Sequence, residues 1–199
     1  KRVNFTGSTG VGRIIGQLAA KHLNPAVLEL GGKNPMVILD DADLDEAVTA
    51  AAFGSFFNQG QICMSTDRII VASTVADAFV AKLAAKVGTM QAGKAGSEGC
   101  VLGAMVTPEA AARVKRLAED AASKGARLAT GPIRIDGAVL QPVLVDGLTT
   151  EMELYKEEAF GPVVTVLRAA NDDEAVRFAN DSEYGLSASV FSRDIGRAM

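Results

Sequence analysis

Cys63 lies within the polar run FNQGQICMST of residues 57–66. Amide, glycine and hydroxyl residues surround it, and this setting favours a thiol that is presented to solvent over one that packs in a core. A thiol is a nucleophile only as the thiolate, so its pKa of about 8.5 must be lowered by a helix end, a base or a nearby cation. Cys63 is therefore a candidate nucleophile, whereas Cys100, in the run GCVLG of residues 99–103, is predicted to pack.

Glu29 is the one charged residue in the apolar segment 26–30, directly before Gly31 and Gly32. In α/β proteins, ligands bind at the carboxyl ends of parallel strands, and glycines let the backbone approach closely. Between two leucines, the carboxylate is expected to be partly buried, which raises its pKa toward the range of a general base. A salt-bridged or solvent-facing strand residue is the alternative interpretation.

Two further segments carry weaker signals. The run FTGSTGVG, residues 5–12, passes from a strand into a helix whose N-terminus suits a phosphate group, although Ser and Thr there are also ordinary N-caps. In the run EEAFGPV, residues 157–163, the acidic pair either binds hydroxyl groups or is a solvated loop charge. The acidic run of residues 40–43 is predicted to cap the next helix and not to bind a metal, so no metal site is expected.

Short apolar runs alternate with helical patterns, which predicts a three-layer α/β fold with a mostly parallel sheet and helices on both faces. The predicted strands are residues 3–5, 26–30, 35–39, 68–71, 142–145, 162–167 and 187–191. The predicted helices are residues 11–23, 44–57, 75–87, 108–124 and 172–180. A cap at Thr107, Pro108 at N1 and Gly125 after the last turn mark the clearest of these helices.

Composition excludes several classes. The chain has 199 residues, 48% hydrophobic and 22% charged, with a net charge of −4 and no basic stripe, so nucleic acid is not an expected partner. No apolar run reaches the roughly 18 to 20 residues that span a membrane, no signal peptide is evident, and two cysteines favour reduced thiols in the cytoplasm. Both ends look cut from a longer protein, because the chain starts without Met and stops in a helix begun near Asp194.

Four of these segments, in this order, resemble motifs of the aldehyde dehydrogenase superfamily: FTGST at 5–9, ELGGK at 29–33, GQIC at 60–63 and EAFGPV at 158–163. The resemblance covers essentially the whole chain. It implies the fold of that family's catalytic domain, with residues 1–31 as the end of the nucleotide-binding domain and residues 32–199 as a catalytic domain truncated at its C-terminal end.

The resemblance also implies roles for individual residues. Cys63 would be the nucleophile and Glu29 the general base, with NAD or NADP as cofactor and NAD preferred. The residues implied to lie at the cofactor are Gly7, Ser8, Leu30, Glu158 and Phe160. Gly10 departs from the larger residue that the family often carries, which leaves cofactor contacts there open.

The implied reaction runs through a thiohemiacetal on Cys63, hydride transfer to the cofactor and a thioester that Glu29 hydrolyses through water. The Cys63 N–H is one candidate donor to the oxyanion, and the family's second donor, an Asn side chain, lies outside the chain. The chain alone is therefore expected not to oxidise aldehydes at a useful rate. The longer protein is expected to be a homo-oligomer, a dimer or a tetramer.

Residues 57–68 and 188–194 are most similar to the salicylaldehyde and vanillin dehydrogenase branch, which favours an aromatic aldehyde substrate. Ile62 and Met64 flank the nucleophile and suit an apolar pocket. Succinate semialdehyde or another aliphatic aldehyde is the alternative substrate, and Glu29 argues against a CoA-acylating enzyme. A non-catalytic module in an oligomer is an alternative of another class, and a cysteine hydrolase would need His22, the only histidine, beside Cys63.

Overall fold

A computed structural model describes all of residues 1–199. The strands are β1 (Val3–Thr6), β2 (Ala26–Glu29), β3 (Asn34–Ile38), β4 (Thr66–Ala72), β5 (Arg127–Leu128), β6 (Ile135–Asp136), β7 (Val139–Leu140), β8 (Val143–Asp146), β9 (Val163–Ala169) and β10 (Ser189–Phe191). The helices are α1 (Thr9–Lys21), α2 (Leu44–Phe56), α3 (Ala76–Gly88), α4 (Pro108–Ser123), α5 (Glu153–Lys156), α6 (Asp172–Asn180) and α7 (Ile195–Ala198).

The larger sheet has six strands in the order β10-β3-β4-β9-β8-β5, all parallel except for the antiparallel pair β5 and β8. Its central strands are apolar on both faces, as expected for a parallel sheet covered on both sides. Alternation along β4 decides which core each residue joins: Ile69 and Val71 pack with α2 and α3, whereas Ile70 packs on the side of α4. The structure thus confirms the α/β class and the mostly parallel sheet.

The N-terminal unit is separate from this sheet. Strands β1 and β2 pair in parallel, with Val3 opposite Ala26 and Thr6 opposite Glu29, and α1 connects them. Only Gly12 and Ala19 are buried in α1. The predicted strand, helix and strand at residues 3–30 are therefore confirmed, although this unit has little core of its own.

Several predicted boundaries are confirmed by their chemistry. The Asp43 carboxylate accepts hydrogen bonds from the N–H groups of Asp45 and Glu46 at the start of α2. At the start of α4, Thr107 Oγ1 accepts from Ala110 N at 3.1 Å. Gly125 follows α4 with φ of +98°, a left-handed conformation that favours glycine.

Four elements were not predicted: α5, β5, and the hairpin formed by β6 and β7. Each is only two to four residues long, too short for a period of 2 or 3.6 to show in the sequence. Strand β10 is also shorter than the predicted 187–191, because Ser187 N donates to the Asn34 side chain at 3.1 Å and not to a strand partner. None of the helices is both long and apolar enough to cross a membrane.

Candidate active site

The turn that carries Cys63 follows directly after α2. Asn58, Gln59 and Gly60 have φ of 50°, 59° and 67°, three consecutive left-handed residues that reverse the chain. At Gly60 only glycine fits, because a Cβ would lie 2.3 Å from the carbonyl oxygen of Gly161. The turn is thereby seated against the segment that leads into β9.

Cys63 itself is half-buried and is not in a disulfide. Its carbonyl oxygen accepts a hydrogen bond of 2.8 Å from Asn34 Nδ2, which also donates to the carbonyl of Ser65 at 2.9 Å. The backbone N–H of Cys63 makes no hydrogen bond within the chain. The side chain of Asn34 therefore fixes the turn through two carbonyl groups, and the unpaired Cys63 N–H is a candidate donor to an oxyanion.

Gly31 and Gly32 bring a second predicted segment to the same place. Glu158 Oε1 accepts a hydrogen bond from Gly32 N at 3.0 Å, and a Cβ on Gly31 would lie 2.3 Å from Glu158 Oε2. A Cβ on Gly32 would lie 2.5 Å from the carbonyl oxygen of Cys63. The two glycines thus let the Cys63 turn and the Glu158 carboxylate pack against one stretch of backbone. Burial there raises the pKa of Glu158 above its ordinary value.

Glu29 ends β2 and is exposed, which makes the expectation of partial burial wrong. The reason is the alternation of the strand. Leu28 faces α1 at Gly16, and Leu30 faces α1 at Gly12, so the intervening Glu29 points away from that helix. Its carboxylate makes no hydrogen bond or ion pair in the chain, although its carbonyl oxygen accepts from Gly7 N at 3.0 Å.

Ser8 is the N-cap of α1, yet its side chain makes no capping hydrogen bond. The first intrahelical bond runs from Gly12 N to Ser8 O at 2.9 Å, so the N–H groups of Thr9, Gly10 and Val11 have no partner in the chain. Unpaired N–H groups at a helix N-terminus suit a phosphate. These residues therefore fit the pyrophosphate of a dinucleotide.

Phe160, beyond Glu158, is 43% exposed and has φ of 49°.

Two residues at the site were missed from the sequence. Asn34 holds the Cys63 turn, and Lys33, whose side chain is 0% exposed, lies 3.2 Å from Asp67 Oδ1. Burial lowers the pKa of the Lys33 ammonium, an effect that the nearby Asp67 carboxylate opposes. The available signal was a Lys-Asn pair between a Gly-Gly turn and an apolar strand, where polar side chains must be buried and paired.

His22, the residue that a cysteine hydrolase would need, is the exposed C-cap of α1. It makes no side-chain hydrogen bond, whereas the Cys63 turn is fixed by Asn34. Geometry therefore gives no support to a Cys-His arrangement.

The sequence profile described as "Aldehyde dehydrogenase family" matches residues 1–199. The chain belongs to this family. A vanillin dehydrogenase of Pseudomonas sp. strain HR199 is 61% identical over 199 residues, which are 100% of the chain and 41% of that relative. The chain thus spans about two fifths of the length of the relatives it matches.

Solved structures agree with this family membership. A salicylaldehyde dehydrogenase from Pseudomonas putida G7, complexed with salicylaldehyde, superposes with a TM-score of 0.94 at 48% identity. The match covers 100% of the present chain and 41% of the chain of that dehydrogenase. A betaine aldehyde dehydrogenase from Staphylococcus aureus, in complex with NAD+, has a TM-score of 0.92 at 37% identity, covering 98% of the chain and 40% of its own. The chain therefore shares its α/β fold with about two fifths of the length of these aldehyde dehydrogenases.

Proposed function

We propose that this chain supplies the nucleophile, the general base and part of the cofactor site of an NAD(P)-dependent dehydrogenase that oxidises an aromatic aldehyde to its carboxylic acid. The observation that carries the proposal is the convergence of Cys63, Gly32 and Glu158, with an unpaired Cys63 N–H at the same point. Residues 1–31 are proposed to end the nucleotide-binding domain, and residues 32–199 to form the catalytic domain.

Cys63 begins the reaction as a thiolate that adds to the aldehyde carbonyl carbon, and the π electrons move to the oxygen. The resulting oxyanion needs a donor that is already in place, and the free N–H of Cys63 meets this need. Asn34 holds the carbonyl of the same residue, so the peptide units around Cys63 need not reorganise as charge develops. Covalent capture divides the oxidation into easier steps.

NAD or NADP, with NAD preferred, would be held by Gly7, Ser8, Leu30, Glu158 and Phe160. When bound, the nicotinamide supplies the hydride acceptor, and an acyl group is left on the Cys63 sulfur. The unpaired N–H groups at the start of α1 are donors for phosphate oxygens. The Glu158 carboxylate offers its remaining lone pairs to ribose hydroxyls.

Glu29 completes the turnover as the general base. It takes a proton from water, the hydroxide adds to the thioester carbonyl, and the C–S bond breaks to release the acid and the Cys63 thiolate. An exposed carboxylate without a hydrogen-bond partner can accept that proton without first breaking another contact. A positioned carboxylate also argues against CoA as the acyl acceptor.

Two observations favour an aromatic substrate. The relatives named above include vanillin and salicylaldehyde dehydrogenases. Apolar side chains also border the thiol in sequence: Phe57 is 57% exposed and stacks on Phe53 at 5.0 Å, and Met64 is 61% exposed. No Lys or Arg occurs in residues 53–67, so nothing there would bind the second carboxylate of succinate semialdehyde.

The full-length enzyme is proposed to act in the cytoplasm as a homodimer or homotetramer. The 199 residues alone are proposed not to oxidise aldehydes, since they span 41% of a typical relative. Reduction of NAD(P)+ by the isolated chain, abolished by Cys63→Ala, would overturn that expectation. The alternative of another class, a non-catalytic structural module, predicts no aldehyde oxidation by the full-length protein or by the isolated chain.

The decisive experiment uses the full-length protein and a benzaldehyde. Cys63→Ala should lower kcat by at least about three orders of magnitude, because the covalent route is lost. Cys100→Ala is the matched control and should keep wild-type kcat, since Cys100 packs against Gly93. Retention of wild-type kcat by Cys63→Ala would refute the assignment.

Glu29→Gln separates the two halves of the reaction. It should release about one equivalent of NAD(P)H per site in a rapid phase and then turn over about 10² to 10⁴-fold more slowly. A steady state without that rapid phase would place the defect before the thioester.

A higher kcat/KM for succinate semialdehyde than for benzaldehydes would show that the aromatic assignment is wrong.

A further inference from the structure

Lys33 is a fully buried cation in the middle of the candidate site. Its Nζ donates to Asp67 Oδ1 at 3.2 Å and to the carbonyl oxygen of Glu157 at 2.8 Å. Burying an ammonium group is costly unless its hydrogen bonds are satisfied, so lysines are rarely found in such positions. Nothing in the reaction described above uses this cation, and its contacts instead point toward the neighbouring Glu158.

The backbone of residues 157–159 links α5 to β9 and is held by side chains. Lys33 binds the carbonyl of Glu157, and Asp67 accepts from Ala159 N at 3.3 Å. Arg113 donates to the carbonyls of Glu158 and Ala159 at 2.9 and 3.0 Å. Three side chains, from the turn before β3, from β4 and from α4, therefore hold the backbone on both sides of the residue whose carboxylate reaches Gly32.

The next residue, Phe160, shows that this backbone is constrained. Its φ of 49° lies in the left-handed region, which costs a non-glycine residue about 1 kcal/mol or more and persists only where the surroundings determine it. The Lys33, Asp67 and Arg113 contacts immediately before it are the surroundings that the structure provides. The strain and the three side-chain contacts are independent signs of one fixed segment.

We propose that Lys33 is a positioning residue that, together with Asp67 and Arg113, forms a clamp that sets the Glu158 carboxylate for the cofactor ribose. These three residues are the Glu158 clamp. Gly32 and Lys33 are neighbours in the chain and hold the same segment at two points. Gly32 N binds the Glu158 carboxylate, and the Lys33 side chain binds the Glu157 carbonyl, so the carboxylate has little freedom to move. The cofactor part of this inference rests on the proposed function, whereas the clamp itself does not.

Lys33→Met removes the cation and keeps the length of the side chain. It leaves Asp67 buried without its partner, which can destabilise the whole protein. The double variant Lys33→Met/Asp67→Asn avoids this problem, since the Asn oxygen can still accept from Ala159 N and neither substituted side chain carries a charge. In full-length protein, both variants should raise the Kd for NAD+ or NADP+ about tenfold, the effect of one lost hydrogen bond to a charged group.

The second readout needs no cofactor. Without nucleotide, amide hydrogen exchange in a peptide that covers residues 157–160 should be at least several-fold faster in both variants, because the segment loses the Lys33 contact that holds it and opens more often. Arg168→Met is the matched control. It removes one partner of the buried Asp146 at the far end of β9 from the clamp, so it should lower Tm without changing the cofactor Kd or the exchange at 157–160.

The outcomes are distinguishable. Wild-type exchange at 157–160 in the double variant would overturn the clamp. Faster exchange with an unchanged Kd would overturn its role in positioning Glu158, as would a Kd that rises equally in Arg168→Met. If the unsubstituted full-length protein bound neither nucleotide, the proposed function would fail and take the cofactor role with it, while the exchange result would still decide whether the clamp exists.

Discussion

The two residues proposed to react lie in regions of very different construction. Cys63 belongs to the turn that joins α2 to β4 of the six-stranded sheet, whose two faces pack into buried clusters of 22 and 20 residues. Glu29 ends a strand of the two-stranded sheet, where α1 buries only Gly12 and Ala19. We call the six-stranded sheet with its covering helices the dense region, and β1, α1 and β2 the sparse region. We expect the stability of the chain to come from the dense region, and the position of Glu29 to depend on the few residues that join the two.

Those joining residues are Leu30, Gly31 and Gly32. Leu30 packs over Gly12 of α1, whereas Gly31 and Gly32 lie against Glu158 and the Cys63 carbonyl. The sparse region is thus connected to the dense one by two glycines, whose backbone lies too close to Glu158 and Cys63 for a side chain to fit. The comparison teaches that the proposed nucleophile is held by Asn34 and by the contact of Gly60 with Gly161, whereas the proposed base depends on the close backbone approach of Gly31 and Gly32 alone.

The largest contrast in the free energy of unfolding should appear when an isoleucine is truncated to alanine in each region. Ile70 is 0% exposed in the dense region, so Ile70→Ala should lower the free energy of unfolding by about 3 to 4 kcal/mol through lost burial and a cavity. Ile14 is 57% exposed in α1, and Ile14→Ala should change it by less than about 0.5 kcal/mol. Urea unfolding of the 199-residue chain measures both, and similar losses would refute the contrast.

Much of the dense region could be predicted from sequence. Apolar runs such as 35–39 and 162–167 identify buried parallel strands, and Thr107 with Pro108 marks the start of α4 by local chemistry alone. These signals are local, because each depends on a few neighbouring residues. The motifs around Cys63 and Glu158 were also visible in sequence, although their roles came from resemblance to a family.

The clamp and the orientation of Glu29 could not be predicted in this way. Lys33 binds the Glu157 carbonyl, which is 124 positions away in the sequence. No local pattern predicts which loop will contact which strand at such a separation. Glu29 was expected to be partly buried because two leucines flank it, but strand alternation turns it to the opposite side. Long-range contacts and the choice of face were therefore the missing information.

The second contrast tests the close backbone approach. Gly32→Ala would place a Cβ 2.5 Å from the Cys63 carbonyl oxygen, a backbone atom that cannot rotate away, so it should cost about 2 kcal/mol and alter the alkylation rate of Cys63. Gly10 is the matched control in α1, with nothing within 4 Å of the position of its Cβ. Gly10→Ala should be neutral or slightly stabilising, since alanine favours helices. Iodoacetamide kinetics and urea unfolding report the two effects, and an unaltered Gly32→Ala variant would argue against the approach.

The smallest contrast concerns charge, and its sign depends on pH. Burial alone would raise the pKa of Asp146, but hydrogen bonds from Arg168 and Arg127 outweigh burial and hold it below the ordinary 3.8. The carboxylate therefore stabilises the fold above about pH 3.8, and this contribution is lost as pH falls through the lower native pKa. Asp146→Asn should thus lose about 1.5 kcal/mol at pH 7, with a deficit that shrinks below pH 3.8.

The counterpart is the ion pair that joins Glu183, in the loop between α6 and β10, to Arg13 of α1 in the sparse region. This ion pair has a separation of 3.7 Å and side chains that are 89% and 67% exposed, so water and salt screen the attraction almost completely. Glu183→Gln should leave the free energy of unfolding unchanged from pH 7 to pH 3 in the same urea series. A deficit for Glu183→Gln as large as that for Asp146→Asn would mean that α1 is held to the rest of the chain by charge. The difference between the two regions would then lie in the kind of contact and not in its strength.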